Sequence, residues 1–194
     1  MEIIETNNLT TLNNSYIDNN QGDKSQIEII KQEDTQGDKH QFNTSWDIWY
    51  HHSLNDWSIG GYRKIFSISN IKTFWDFHNN IECIGGINNL NFFLMRKDIT
   101  PIWEDPKNRS GGCWSVLVPI AKSYDVWEEL SVAMVGELLI KDSKCITGLS
   151  INVKNNVSVI KIWNNNRTLN DPILLPSFLK KYGNIIYRKH QLDY

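Results

Sequence analysis

The chain has 194 residues, of which 40% are hydrophobic, and this length and composition predict one domain with a substantial core. A formal net charge of -2 argues against non-specific binding to duplex nucleic acid, but it allows a local site for one nucleotide or a short single strand. Three widely spaced cysteines predict neither a zinc site nor a disulfide framework.

The first 39 residues differ in composition from the rest of the chain. They are rich in Asn, Gln, Asp, Thr and Lys and contain no tryptophan. Such a segment cannot bury enough apolar area to offset its ordering entropy, so we predict a disordered tail at 1–39 and a folded domain at 40–194. Without a signal pattern or an apolar run near the roughly 20 residues of a membrane span, we expect a cytoplasmic protein, also present in the nucleus, with no membrane partner.

Apolar patterning and turn signals predict strands and helices in the folded domain. Seven strands are predicted, in chain order at 41–51, 62–67, 90–96, 113–120, 145–154, 157–163 and 184–188. Helices are predicted after a cap at Ser69 or Asn70, from Ser123 to about Ile140, and at 174–182. Asn155-Asn156 predicts a hairpin turn. Mostly neighbouring strands with interspersed helices predict an α+β fold, a curved antiparallel sheet with helices on one face.

The segment 102–114, IWEDPKNRSGGCW, has the composition of a binding loop. Guanine offers two donors, N1–H and its amino group, at a spacing that matches a carboxylate such as Glu104, and such a pair contributes about 1–3 kcal/mol of discrimination. Stacking on Trp103 adds about 1–3 kcal/mol for each face of the base. A positively charged base would gain cation–π attraction as well. The alternative is that Trp103 belongs to the core and Glu104 is a solvated acid.

Spaced aromatic motifs recur in a fixed order from about His40 to His190. They are Trp46-x-x-Trp49-Tyr50, Trp57, Phe74-Trp75, Trp103-Glu104-Asp105, Gly111-Gly112-x-Trp114 and Ile160-x-Ile162-Trp163. This order resembles the eukaryotic translation initiation factor 4E family, which binds the 7-methylguanosine cap of mRNA. The resemblance implies a single cup-shaped domain, with helices on the convex face and the cap in the concave face.

By position, the resemblance also implies roles for the residues of the base site. Trp57 and Trp103 would sandwich the base, Glu104 would read guanine, and Trp163 would touch the methyl group on N7. Four other matched tryptophans, Trp46, Trp49, Trp114 and Trp127, are interpreted as structural. No cofactor or metal ion is expected.

The phosphate site departs from the family pattern. Of three usually basic positions, one is Lys154, whereas Cys113 and Val159 are neutral. Lys161 lies two residues after Val159 and therefore on the same strand face. We predict that Lys154 and Lys161 contact the cap triphosphate and that Arg109 assists; the alternative is that Lys161 is simply a solvated strand residue.

A second surface is implied on the convex side. The matching residues are His40, Ile71, Trp75, Glu129 and Val132. In the family this patch binds a helix with a Tyr-x-x-x-x-Leu-apolar motif, presented by the scaffold factor 4G or a similar protein. Gln41 and Glu128 depart from the usual proline and leucine, and the alternative for Trp75 is a place in the core.

These observations predict a monomeric, non-enzymatic protein that binds capped mRNA and recruits it for translation initiation. One rival hypothesis is a cap-binding repressor or decoy that does not engage the scaffold. A second is an enzyme acting on nucleotides, which the sequence disfavours because it lacks a carboxylate cluster for Mg²⁺ and a Gly-rich phosphate loop. A third is a generic binder of single-stranded RNA, which the acidic net charge disfavours.

Overall fold

The computed structural model describes residues 40–51, 57–87, 91–154 and 156–191, which all belong to one compact unit of the chain. The predicted tail at 1–39, the polar loop at 53–56 and the turn residue Asn155 lie outside the described residues. None of the helices in the described part of the chain is long and apolar enough to cross a membrane.

The strands of the described residues form one antiparallel sheet. They are β1 (Gln41–His51), β2 (Tyr62–Asn70), β3 (Asn91–Arg96), β4 (Gly112–Pro119), β5 (Ile146–Lys154), β6 (Val157–Asn164) and β7 (Ile186–Lys189). Their spatial order is β2-β1-β3-β5-β6-β4-β7, and every neighbouring pair is antiparallel. The predicted α+β class and curved antiparallel sheet are therefore confirmed.

Two α-helices pack on one face of this sheet, α1 (Ile71–Asn79) and α2 (Ile120–Val135). The predicted cap of the first helix is Asn70, whose side chain accepts a hydrogen bond from the Thr73 backbone N–H at 2.7 Å. The Thr73 hydroxyl in turn meets the Asn70 backbone N–H at 3.1 Å, which completes a capping box.

Two helix predictions need correction. The second helix begins at Ile120 rather than Ser123 and ends at Val135 rather than Ile140, because Gly136 caps it and Glu137 adopts a left-handed backbone with φ 57°. The predicted helix at 174–182 consists of two 3-10 turns, Pro172–Leu174 and Ser177–Tyr182. Pro176 between them has no N–H to continue a helical ladder.

The two faces of the sheet pack differently. Alternate strand residues such as Trp46, Leu94 and Trp114 join Trp127 of α2 in the main core, where all four are essentially inaccessible to water. The opposite, concave face has a smaller buried cluster, made of Phe93, Met95, Ile99, Cys113 and Trp163. The predicted structural role is confirmed for Trp46, Trp114 and Trp127, and Trp49 packs partly buried against the concave cluster.

The glycine pair before Trp114 allows β4 to lie between its neighbours. A Cβ at Gly111 would collide with the backbone carbonyl of Asn164 on β6, and one at Gly112 would meet Tyr187 and Arg188 of β7. The Gly-Gly motif is therefore a packing requirement of the strand that follows the candidate binding loop.

Candidate functional site

A cleft of about 450 Å³ opens on the concave face. It brings together six of the residues that the sequence predicted for a ligand, from two loops and two strands. These are Trp57, Trp103, Glu104, Lys154, Lys161 and Trp163. Its other lining residues include Tyr62, Phe93, Ser150, Asn152 and Val159.

Trp163 forms part of the floor of the cleft. Only 3% of its surface is exposed, and its ring lies 6.4 Å from that of Phe93 in an edge-to-face arrangement. The indole N–H donates a hydrogen bond to the Ser150 hydroxyl on the neighbouring strand β5 at 2.9 Å. A buried indole with its one donor satisfied holds a fixed orientation, so Trp163 offers a rigid edge to a ligand.

Trp57 lies at the rim of the cleft and is supported by a histidine. Its indole is 49% exposed and stacks on the His51 imidazole, with ring centroids 4.3 Å apart and planes within 4°. His51 is buried at the end of β1, beside the ring of Tyr62 at 4.6 Å. One face of Trp57 is thus covered by the protein, which orients the plane of the ring.

The loop that carries Trp103 is held by hydrogen bonds from Asp105 and Asn108. Asp105 accepts from the backbone N–H groups of Thr100 and Lys107 at 2.9 and 2.8 Å. The buried Asn108 amide donates to the carbonyls of Thr100 and Ile102 at 3.0 and 2.9 Å. Asp105 is therefore a structural residue, and these hydrogen bonds define the shape of the loop.

His190 connects this loop to the floor of the cleft. Its imidazole stacks on Trp103 with centroids 5.7 Å apart and planes within 11°, and it lies 5.0 Å from the ring of Trp163. Nδ1 lies 2.8 Å from the Asn108 carbonyl oxygen, a geometry in which the ring N–H donates. Burial lowers the pKa of His190 and favours the neutral ring.

Glu104 is exposed at the mouth of the cleft. Burial of Tyr62, and secondarily the Glu104 carboxylate, raise the pKa of the Tyr62 phenol to about 12. The phenol therefore stays protonated at neutral pH. Among the residues that line the cleft, Glu104 is the one carboxylate, and it lies beside aromatic side chains where it can accept hydrogen bonds.

The cations of the cleft are Lys154 on β5 and Lys161 on β6. The third predicted phosphate contact, Arg109, is exposed on the Trp103 loop and is not among the residues that line the cleft. In the described parts of the chain, no group of three or more His, Cys, Asp or Glu side chains is arranged to hold a metal ion.

The residues predicted for a protein partner lie with the helices on the opposite face. The His40 carbonyl accepts from the Ile71 backbone N–H at 3.3 Å, which joins the start of β1 to the start of α1. Trp75 on α1 is 41% exposed, so the alternative that it belongs to the core is wrong. Glu129 and Val132 are exposed on α2.

Sequence reasoning missed three residues that line the cleft or support its rim. His51 and His190 support the two rim tryptophans, and Tyr62 lies between Trp57 and Phe93 with ring centroids 6.4 and 5.4 Å away. Strand alternation places His51 on the same face of β1 as Trp49, and this signal was available. No local pattern indicates that His190 stacks on Trp103.

Comparison with known proteins identifies related chains. The family model described as "Eukaryotic initiation factor 4E" matches residues 41–191. A curated relative, eukaryotic translation initiation factor 4E-1 of Caenorhabditis elegans, is 31% identical over 144 residues, which cover 70% of this chain and 66% of the relative. The matched segment thus spans just under two thirds of that relative's length.

Two solved structures share the fold at modest sequence identity. The complex of C. elegans eIF4E-3 with the 4E-binding protein Mextli and a cap analogue has a TM-score of 0.68 at 26% identity and covers 78% of this chain and 92% of that one. Ascaris suum eIF4E-3 with an m7G cap has a TM-score of 0.67 at 25% identity, with the same two coverages.

Proposed function

This chain belongs to the eukaryotic initiation factor 4E family, and we propose that it binds the 7-methylguanosine cap of mRNA and acts in translation initiation. The observation that carries the proposal is the cleft, where Trp57, Trp103 and Glu104 lie around one space of about 450 Å³. Two solved relatives of the same fold contain a cap or cap analogue, which supports the assignment.

The aromatic groups suit a methylated, positively charged base. Two indoles line the rim of the cleft, and stacking between them would contribute about 1–3 kcal/mol for each face. A cationic base gains further because the electron-rich face of an indole attracts positive charge. Trp163, fixed in the floor by Ser150, would contact the methyl group on N7.

Glu104 supplies the guanine specificity in this proposal. Its two carboxylate oxygens would accept from N1–H and the amino group of guanine, whereas adenine presents no such pair of donors. Lys154 and Lys161 line the same cleft and would contact the phosphates. The cleft therefore suits a ligand with a cationic base, placed near Glu104, and an anionic tail, placed near Lys154 and Lys161.

On the convex side, we propose that the patch of His40, Ile71, Trp75, Glu129 and Val132 binds a helix of a scaffold factor of the 4G type. Exposed aliphatic and indole groups beside an acid suit the apolar face and basic residues of an amphipathic helix. A structure of a family member with a 4E-binding protein supports a protein partner of this class.

One observation favours a second candidate, a cap-binding repressor or decoy. Glu128 lies at the edge of the convex patch, with its carboxylate 4.0 Å from His78 Nδ1. A charge there would have to be desolvated when an apolar helix docks, and this penalty would weaken scaffold binding. Rescue of growth in cells lacking their own initiation factor distinguishes the two, because a decoy would not support translation.

The test of cap binding is tryptophan fluorescence quenching by 7-methyl-GTP and by GTP. We expect 7-methyl-GTP to bind at least tenfold more tightly, because cation–π attraction acts only on the methylated base. Glu104→Gln should weaken 7-methyl-GTP about 30-fold, since the amide places a donor against a donor of guanine. Glu82→Gln, an exposed acid outside the cleft, is the control. Equal affinity of wild type for both nucleotides would refute the proposal.

A further inference from the structure

The strand register places Arg188 in one row with the floor of the cleft. Cys113 on β4 pairs directly with Trp163 on β6 and with Arg188 on β7. Residues that pair directly in antiparallel strands project from the same face of the sheet. Trp163 faces the cleft, so Arg188 projects from the concave face two strands away, roughly 10 Å along the row.

The neighbouring pair of residues confirms this orientation. Trp114 pairs with Tyr187, and their rings meet at 5.3 Å on the side of the sheet that faces the helices. Successive residues of a strand point to opposite faces. Because Tyr187 faces the helices, Arg188 points to the concave face and Lys189 points to the helix side. Arg188 lies on the concave side with its partner Cys113, whereas Lys189, which pairs with Gly112, lies on the helix side.

Lys161 lies two residues before Trp163 on β6, on the same concave face, and it pairs with Ser115 of β4. Lys161 and Arg188 therefore stand on either side of Cys113, which is buried and neutral. Burial raises the pKa of the Cys113 thiol, while Lys161, a hydrogen bond with Ser115, and Arg188 act in the opposite direction. The strand register therefore places both cations around Cys113 on the concave face.

Neither cation is neutralised by its neighbours. Among the residues that the structure describes, no carboxylate lies within ion-pair distance of Lys161 or Arg188. Two cations on one face without an acid between them favour a bound polyanion. The guanidinium also offers the planar fork that binds phosphate oxygens in pairs.

We propose that Arg188 is a phosphate contact of the bound cap, acting with Lys161 across Cys113, and that it replaces the cation missing at position 113. The inference rests on the proposed cap-binding function. It differs from the prediction based on sequence, which gave this task to Arg109 on the Trp103 loop. Neither arginine is among the residues that line the cleft, but Arg188 shares a row of the sheet with Trp163. The inference also extends the proposed phosphate contacts across β4 toward β7, beyond those of Lys154 and Lys161 in the cleft.

The experiment compares 7-methylguanosine, which has no phosphate, with 7-methyl-GTP. Affinities are measured by tryptophan quenching for wild type, Arg188→Ala, Arg188→Lys and the control Lys189→Ala, which removes a cation from the next position of β7. We expect Arg188→Ala to weaken 7-methyl-GTP about tenfold and 7-methylguanosine less than twofold. Arg188→Lys should fall in between, and Lys189→Ala should match wild type.

The outcomes separate this inference from the function on which it rests. Unchanged 7-methyl-GTP affinity in Arg188→Ala, or an equal loss for both ligands, would overturn the role of Arg188 while leaving cap binding intact. Failure of wild type to prefer 7-methyl-GTP over GTP would overturn the proposed function itself.

Discussion

The concave cleft and the convex patch lie on opposite faces of one sheet, and they differ in how firmly the surrounding residues hold their aromatic side chains. In the cleft, Trp57 stacks on His51, Trp103 stacks on His190 and Trp163 donates to Ser150. On the convex patch, Trp75 meets Phe74 only edge-on, with centroids 5.1 Å apart. A small ligand needs ring planes fixed in advance, whereas a partner helix brings apolar side chains of its own.

The two faces also differ in the charges that they present. The cleft has Lys154 and Lys161 beyond a single carboxylate, Glu104, which suits a cationic base followed by phosphates. The convex patch has the acid Glu129 on α2, with Glu128 at its edge. The two sites should therefore select ligands of opposite charge, and a substitution in one should leave the other unaffected.

The largest expected effect comes from removing a stacking surface of the cleft. Trp103→Ala should weaken 7-methyl-GTP binding about 100-fold, because it removes one face of the stack together with its cation–π attraction. Isothermal titration calorimetry is the appropriate measurement, since the substitution also removes a fluorophore. The exposure of Trp103 implies that the fold is retained, which a thermal melt would check.

The matched control for this variant is Trp75→Ala, which removes an indole of similar exposure from the other face. It should bind 7-methyl-GTP as wild type does. Loss of cap affinity in Trp75→Ala, or retention of it in Trp103→Ala, would contradict the separation of the two faces.

A smaller effect is expected for the convex patch. Trp75→Ala should weaken binding of a peptide with a Tyr-x-x-x-x-Leu-apolar motif about 30-fold, as truncation of a central aromatic contact does at other interfaces. Fluorescence polarisation of a labelled peptide measures it, with Trp103→Ala as the reciprocal control. Identical peptide affinity in Trp75→Ala and wild type would remove Trp75 from the interface.

Sequence reasoning predicted the sheet well because strand alternation is a local property. The spacing of Val159 and Lys161 already placed both on one face of β6, and the structure puts both in the cleft. The errors lie at helix ends, where Gly136 and Pro176 decide the boundaries through backbone geometry. Apolar periodicity continues beyond Val135 and carries no information about where the helix stops.

The support around the cleft could not be predicted, because it depends on contacts distant in sequence. Nothing local in the sequence indicates that His190 stacks on Trp103 and meets the Asn108 carbonyl. The row that joins Trp163, Cys113 and Arg188 depends on β4 pairing with both β6 and β7. Register between strands distant in sequence is set by packing of the whole sheet, which no spacing of residues shows.

The smallest expected effect concerns His78, which lies beneath the convex patch between Phe74 and Tyr124. Burial lowers the pKa of its imidazole to about 4, and the Glu128 carboxylate 4.0 Å away does not offset this. The unfolded chain takes up a proton at His78 near pH 6.5, whereas the folded chain does not until about pH 4. The contribution of His78 to the free energy of unfolding is therefore fully present above about pH 6.5, and it is lost as the pH falls toward 4.

Between pH 7.5 and 5.5, this loss should amount to about 1 kcal/mol of unfolding free energy. Urea denaturation of wild type, His78→Gln and the exposed control His40→Gln at both pH values measures it. His78→Gln should be less stable than wild type at pH 7.5 but should lose about 1 kcal/mol less on acidification, because glutamine takes up no proton. His40→Gln controls for the loss of a histidine from the exposed surface. The same acid-induced loss in all three proteins would show that His78 is not the group responsible.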